Sequence, residues 1–152
     1  MAVPENSTHE ASAEESAALL PAYEWLFAPP GARPPRWDPE RAADRLRAAA
    51  DAEQTAVLVA VHDGEIVGLC TAYEDMVSVR FGPRVWVEDL AVHPGHRSLG
   101  IGKRLLDAAK DWARDRGASH LELDSGENRP DAHRFYEREQ PSWRSISFGW
   151  EL

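Results

Sequence analysis

A single cysteine, Cys70, excludes an internal disulfide, so no covalent staple holds this chain. It lies in a strand-like segment, where a buried structural thiol is the simplest reading. Long apolar runs are missing as well, and with them any segment able to span a bilayer as a helix. The opening stretch, MAVPENSTHEASAEES, lacks a basic region followed by an apolar one and does not read as a signal peptide. These absences point to a cytoplasmic protein without a membrane partner. Basic charge is scarce: 17 Lys and Arg stand against 26 Asp and Glu, for a formal net charge of −9. That balance argues against nucleic acid as a partner, because phosphate backbones demand basic faces. An acidic surface draws cations over long range, though it also serves plain solubility. The six histidines show no zinc spacing; His93 and His96 flank a Pro-Gly turn, and no cysteine pair accompanies them. No metal site is expected.

What the chain does contain suits one globular domain over residues 1–152, with 43% apolar residues and six tryptophans to build a core. No internal repeat and no second domain stand out. Residues 1–11 are small and polar and are expected to fray. Ser12-Ala13-Glu14-Glu15 reads as a capping box that starts a helix carrying Leu19, Leu20, Tyr23, Leu26 and Phe27, with Pro21 kinking or restarting it. Asp38-Pro39-Glu40 opens a second helix, with Ala42, Ala43 and Leu46 among its inward residues. Thr55 to Val61 and Ile66 to Tyr73 read as strands joined by a tight turn at His62-Asp63-Gly64-Glu65. Glu74 to Pro83 is a surface connection. Ser119 to Asp124 reads as a further strand, Asp131 to Glu137 as a short helix, and the alternating Ser145 to Leu152 as a closing strand.

The organising stretch runs from Val85 to Arg116. Val85 to Val92 is β-branched and aromatic, and His93-Pro94-Gly95-His96 breaks it. Arg97-Ser98-Leu99-Gly100-Ile101-Gly102-Lys103 follows, then a helix with Leu105, Ala109 and Trp112 on one face, closed by Gly117. A strand, a glycine-bearing loop and a helix start make an anion site, since free backbone N–H groups point out along the helix dipole. Gly100 and Gly102 allow close approach, and Arg97 and Lys103 add charge. The chemistry expected is pyrophosphate binding. The spacing fits neither a P-loop, which needs GxxxxGK followed by Ser or Thr, nor a dinucleotide fingerprint, whose third small residue would fall on Leu105.

Arg-x-x-Gly-x-Gly after a strand ending Leu-x-Val (Leu90, Val92, Arg97, Gly100, Gly102) resembles the acetyl-CoA loop of the Gcn5-related N-acetyltransferases. The order of elements is similar over nearly the whole chain. The resemblance implies an α/β (α+β) fold whose mixed central sheet is splayed at the acetyl-CoA site, with helices on both faces. It departs in two places. The first strand of the family has only Ala2-Val3-Pro4 in its position, so that strand is short, missing or replaced. Gln140-Pro141 stands where the family has glycine and an apolar residue.

By this resemblance acetyl-CoA is the cofactor, held by backbone at Leu90, Ala91 and Val92, by the loop Arg97, Ser98, Leu99, Gly100, Ile101, Gly102 and Lys103, and by Asn128. Tyr136, in a Phe-Tyr pair, would give a proton to the departing CoA thiolate. Glu88-Asp89 is similar to the acid pair in the strand of diamine and polyamine acetyltransferases, which implies Glu88 as the base and Asp89 as an amine-binding residue. Paired carboxylates in an apolar strand are otherwise costly unless they face solvent or a site. Glu24, Trp25, Phe27, Tyr73 and Glu74 are candidates for the acceptor pocket, since aromatic faces and carboxylates suit an ammonium. The activity implied is direct acetyl transfer to a primary amine of a small cationic molecule, by a homodimer. An acyl-CoA sensor without turnover, or an enzyme acetylating a protein amine, are the other readings.

Overall fold

The computed structural model describes residues 6–152. Its centre is a five-stranded sheet in which spatial order follows chain order. β1 (Ser7–Glu10), β2 (Thr55–His62), β3 (Glu65–Glu74) and β4 (Arg84–Val92) run antiparallel to their neighbours, and β5 (His120–Leu123) runs parallel to β4. β2 and β3 are buried along most of their length, as fits central strands covered on both faces.

Two cores form, one on each face of the sheet. On one face, α4 (Ile101–Asp115) sets Ile101, Leu105, Ala109 and Trp112 against Ala56, Leu58, Ala60, Val67 and Cys70. On the other, the N-terminal helices and α3 (Pro39–Asp51) bring Leu19, Ala22 and Leu46 to Val57, Val59, Val61 and Leu69. The N-terminal helical run is broken as Pro21 requires: α1 (Ala13–Ser16) passes through a 3-10 turn (Ala17–Ala22) into α2 (Tyr23–Phe27). The Ser12–Glu15 capping box and the Asp38 N-cap both form. Gly68 lets α4 lie close to the sheet, since a Cβ there would stand 2.7 Å from Leu105 Cδ1.

The chain ends differ from the sequence expectation. Ser7–Glu10, placed within the frayed residues by its polarity, is the first strand, paired to β2 from Ser7↔Val61 to Glu10↔Leu58. Its backbone pairing to an apolar neighbour, rather than its own side chains, holds it there. Ala2-Val3-Pro4 lie outside the described residues. At the other end, Ser145 to Leu152 form no strand. The alternation is present, but no partner ladder is, and Ile146, Phe148, Trp150 and Leu152 stand exposed at 75% or more. The segment passes the outer edge of β5, with Trp143 stacked edge-on at 5.4 Å from His120 and Ser147 Oγ donating to Asp124 at 2.9 Å. Ahead of it, α5 (Pro130–Arg138) is followed by Gln140 at a φ of 55°, a left-handed turn that glycine would take at less cost.

Candidate active site

The site begins at an irregularity in β4. Thr71 pairs with Asp89 and Ala72 with Val87, so Glu88 is the extra residue of a β-bulge. The bulge reverses the side-chain alternation. Before it, Val85 and Val87 face the α4 core; after it, Leu90 and Val92 do. It also coincides with a parting of strands. β4 and β5 pair from Arg84↔His120 to Val87↔Leu123 and no further, although β4 runs on to Val92. From Glu88 onward the β5-facing edge of β4, including the backbone of Leu90, Ala91 and Val92, is therefore open. Main-chain groups in such a gap need partners, which water or an extended amide-bearing molecule can supply.

The phosphate-loop residues lie beyond the end of β4. A short 3-10 turn (Pro94–His96) leads to Arg97, Ser98 and Leu99, all exposed, and then to α4. Gly100 is the N-cap of α4 at a φ of +78°, no side chain caps it, and a Cβ there would meet nothing within 4 Å. The first intrahelical bond joins Arg104 N–H to the Gly100 carbonyl at 3.0 Å. The amides of Ile101, Gly102 and Lys103 thus precede the helical ladder and face outward at its positive end. Gly102 packs toward Phe135, with 3.4 Å between a notional Cβ and the ring, and Ile101 is buried. Lys103 leans on Asp107 at 3.0 Å and Glu139 at 3.5 Å, whereas Arg97 makes no ion pair among the described residues.

Tyr136 on α5 is half-buried, and desolvation pushes its hydroxyl up to about 12, so it remains a protonated donor. Cys70 lies near it, and burial first, with Asp89 second, pushes that thiol up to about 12 as well. A thiol so shifted is a poor nucleophile, in keeping with a structural role. Glu88 is raised above the usual carboxylate range, first by burial and then by Asp89 and Asp124. Such a carboxylate is a stronger base than one in water.

Asp89 lies on the same face as Glu88, away from α4, because the bulge cancels the alternation that would send the two acids to opposite faces. Its Oδ2 accepts from Tyr23 Oη at 2.8 Å and from Thr71 Oγ1 at 2.8 Å, tying α2 to the sheet. Tyr23, Phe27 and Trp37 form an aromatic group next to this anchor, with Phe27 and Trp37 rings 4.7 Å apart. Tyr73 sits beside Glu88.

The other expected acceptor residues stand apart. Glu24 is held by Arg33 at the surface at 2.6 Å, Trp25 packs edge-on against His93 at 5.1 Å, and Glu74 lies 3.9 Å from Arg116. Asn128, expected at the cofactor, gives its Nδ2 to the Pro30 carbonyl at 2.8 Å, while Arg129 donates to the Leu26 carbonyl at 3.0 Å. These two bonds clasp the loop before α5 to the end of α2. Sequence reasoning missed Asp124, Tyr23 and Thr71 as site residues, because only the sheet register and the α2 packing bring them to Glu88 and Asp89.

A forked sheet with an open strand edge, a helix start bare of caps and a half-buried phenol are features that suit a long phosphate-bearing thioester as ligand. Residues 19–140 match the model of the acetyltransferase (GNAT) family. The chain belongs to that family and is an acetyl-CoA-dependent N-acetyltransferase. It is 40% identical over 99 residues to the uncharacterized N-acetyltransferase YhdJ of Bacillus subtilis, covering 65% of this chain and 69% of that one. It is 35% identical over 86 residues to the streptothricin acetyltransferase of Streptomyces lavendulae, covering 56% of this chain and 43% of that enzyme. In three dimensions it is similar to the aminoglycoside N-acetyltransferase AAC(6')-Iy, solved in complex with CoA, with a TM-score of 0.83, 16% identity and 99% of both chains covered. At that identity the likeness speaks for the fold.

Proposed function

We propose that the enzyme acetylates a primary amine of a small cationic molecule, with Glu88 as base and Tyr136 as acid. The observation that carries this reading is the bulge at Glu88, which sets a carboxylate of raised proton affinity at the opening of the fork, beside the open edge of β4. The amides of the Arg97–Lys103 loop would hold the pyrophosphate of acetyl-CoA, and the backbone of Leu90, Ala91 and Val92 would hold its pantetheine arm. The ammonium of the acceptor gives a proton to Glu88, and the free amine nitrogen attacks the acetyl carbonyl carbon. The C–N bond forms, the C–S bond breaks, and the departing thiolate takes its proton from Tyr136. The second proton, shed by the acylated nitrogen, restores the phenol, and Glu88 returns its proton to solvent. The net charge of −9 favours the approach of a cationic acceptor. The streptothricin acetyltransferase acts on streptothricin by its name, which supports a small-molecule acceptor.

A panel of amines, aminoglycosides, amino acids and peptides read by CoA release tests this reading. Turnover on a small cationic amine is expected. Preference for an alcohol or an anion overturns it, and so does turnover confined to peptide amines.

The enzyme works in the cytoplasm, where acetyl-CoA and a reduced Cys70 coexist, and as a homodimer. What supports the dimer is the juxtaposition of an open β5 edge, a groove of about 770 Å³ lined by α4, α5 and residues 142–147, and the exposed apolar row from Ile146 to Leu152. One chain carries both the strand-like segment and the edge it would pair with, so two copies can close on each other. Sedimentation at a monomer's mass overturns that part.

A further inference from the structure

Asp124 is the first residue after β5, directly past the last rung, Val87↔Leu123, as Glu88 is on the other strand. The two acids therefore stand on either side of the fork where it opens. Alternation along β5 sends Leu121 and Leu123 into the α4 core, and Glu122 and Asp124 to the face shared with Tyr73 and Trp86. The two acids on that face have different surroundings. Glu122 is matched by Arg84 at 3.3 Å and His120 at 3.5 Å, and Arg84 is further held by Asp75. Asp124 has only the Ser147 hydroxyl, which fixes its Oδ2. Glu88 is faced by Asp89 on its own strand, Asp124 from β5, Tyr73 from β3 and Tyr23 from α2. None of these groups is a cation. Among the described residues no Lys, Arg or His pairs with Glu88, Asp89 or Asp124, so the opening of the fork carries uncompensated negative charge.

We propose that Asp124 is a substrate-binding residue of the acetyl-transfer reaction: across the opening of the fork from Glu88, it holds the acceptor's ammonium and so selects cationic amines. This rests on the reading of Glu88 as the acceptor-side base. The Ser147 hydroxyl orients the Asp124 carboxylate without neutralising it, which makes the C-terminal segment part of the acceptor site. The same arrangement couples the two acids. While Asp124 is ionised it disfavours a second charge on Glu88, and an ammonium between them relieves that repulsion.

The test uses butylamine, putrescine and kanamycin as probes, binding to the full chain saturated with CoA, followed by calorimetry. Wild type is expected to bind the amines and Asp124→Asn to bind them about tenfold more weakly, since one charged contact is lost while the shape is kept. Asp124→Glu should recover part of that loss, and CoA affinity should be the same in all three. In turnover, Asp124→Asn should raise the amine KM, and the acidic limb of kcat/KM should move to lower pH. The direction follows because removing a like charge lowers the proton affinity of Glu88. Equal amine affinity in wild type and Asp124→Asn overturns the proposal, as does failure of all three amines to bind. Glu88→Gln, run alongside, reads the base assignment separately. If it keeps the wild-type pH profile while Asp124→Asn still weakens amine binding, the binding role of Asp124 stands and the base lies elsewhere.

Discussion

Tyr23 gives its phenolic hydrogen to Asp89 across 66 positions of sequence, at 2.8 Å, and so pins α2 to the strand that carries the chemistry. The phenol is raised well above its ordinary value, by burial first and then by the Asp89 charge, which keeps it a protonated donor. Tyr23→Phe keeps the ring and removes the bond. A hydrogen bond to a buried charge contributes about 1.5–3 kcal/mol, and the remaining Thr71 bond should keep the loss toward the lower end. Denaturant unfolding should show that loss, and the amine KM should rise as α2 loosens, while acetyl-CoA affinity holds. An unchanged midpoint would show that α2 is held by its aromatic packing instead.

The Arg97–Lys103 loop is expected to bind the CoA pyrophosphate through backbone amides. Gly100→Asp sets a negative charge into open space in front of those amides and forces a side chain onto a left-handed backbone. CoA affinity by calorimetry should fall at least about tenfold, or roughly 1.4 kcal/mol. Gly100→Asn, which tolerates the same φ without the charge, should lose much less. Equal affinity in the folded aspartate variant would place the pyrophosphate elsewhere.

For Tyr136, replacement by phenylalanine retains the half-buried ring and removes the proton. Turnover should drop about 10²-fold or more, with CoA binding preserved. Because the hydroxyl is pushed up to about 12, its loss of a proton should not limit the rate below that pH. Wild-type turnover in Tyr136→Phe would hand the acid role to water.

Glu88 must be ionised to accept a proton. Its proton affinity is raised, so activity should climb with pH along a limb lying above the ordinary carboxylate range, and fall away as acid protonates it. The amine, with an unperturbed pKa near about 10, adds to the rise toward alkaline pH. Glu88→Gln should flatten the climb and lower turnover with little effect on CoA affinity. A pH–rate profile of both proteins decides it.

Much of this was legible in the chain because it rests on local physics. A capping box, an Asp-Pro-Glu helix start and a 3.6-residue apolar face each close over a few residues, and each formed where the sequence expects it. The loop glycines and the acid pair could likewise be found by spacing. The two ends misled for complementary reasons. Ser7–Glu10 has no strand-like pattern of its own and is held by the edge of β2, whereas Ser145 to Leu152 have the pattern and no edge.

The sequence by itself determined the elements between the two chain ends, their order and the residue types at the loop, since propensity, capping and periodicity depend on neighbours within a turn or two. The tertiary structure alone decided which acids meet. Alternation sends Glu88 and Asp89 to opposite faces, but the bulge sets both on the face away from α4 and leaves Glu88 unpaired where the strands separate. Nor does any local pattern bring Asp124 across from Glu88, or Tyr23 to Asp89. Those pairings are set by sheet register and helix packing, which minimise the free energy of the whole chain and leave no mark at short range.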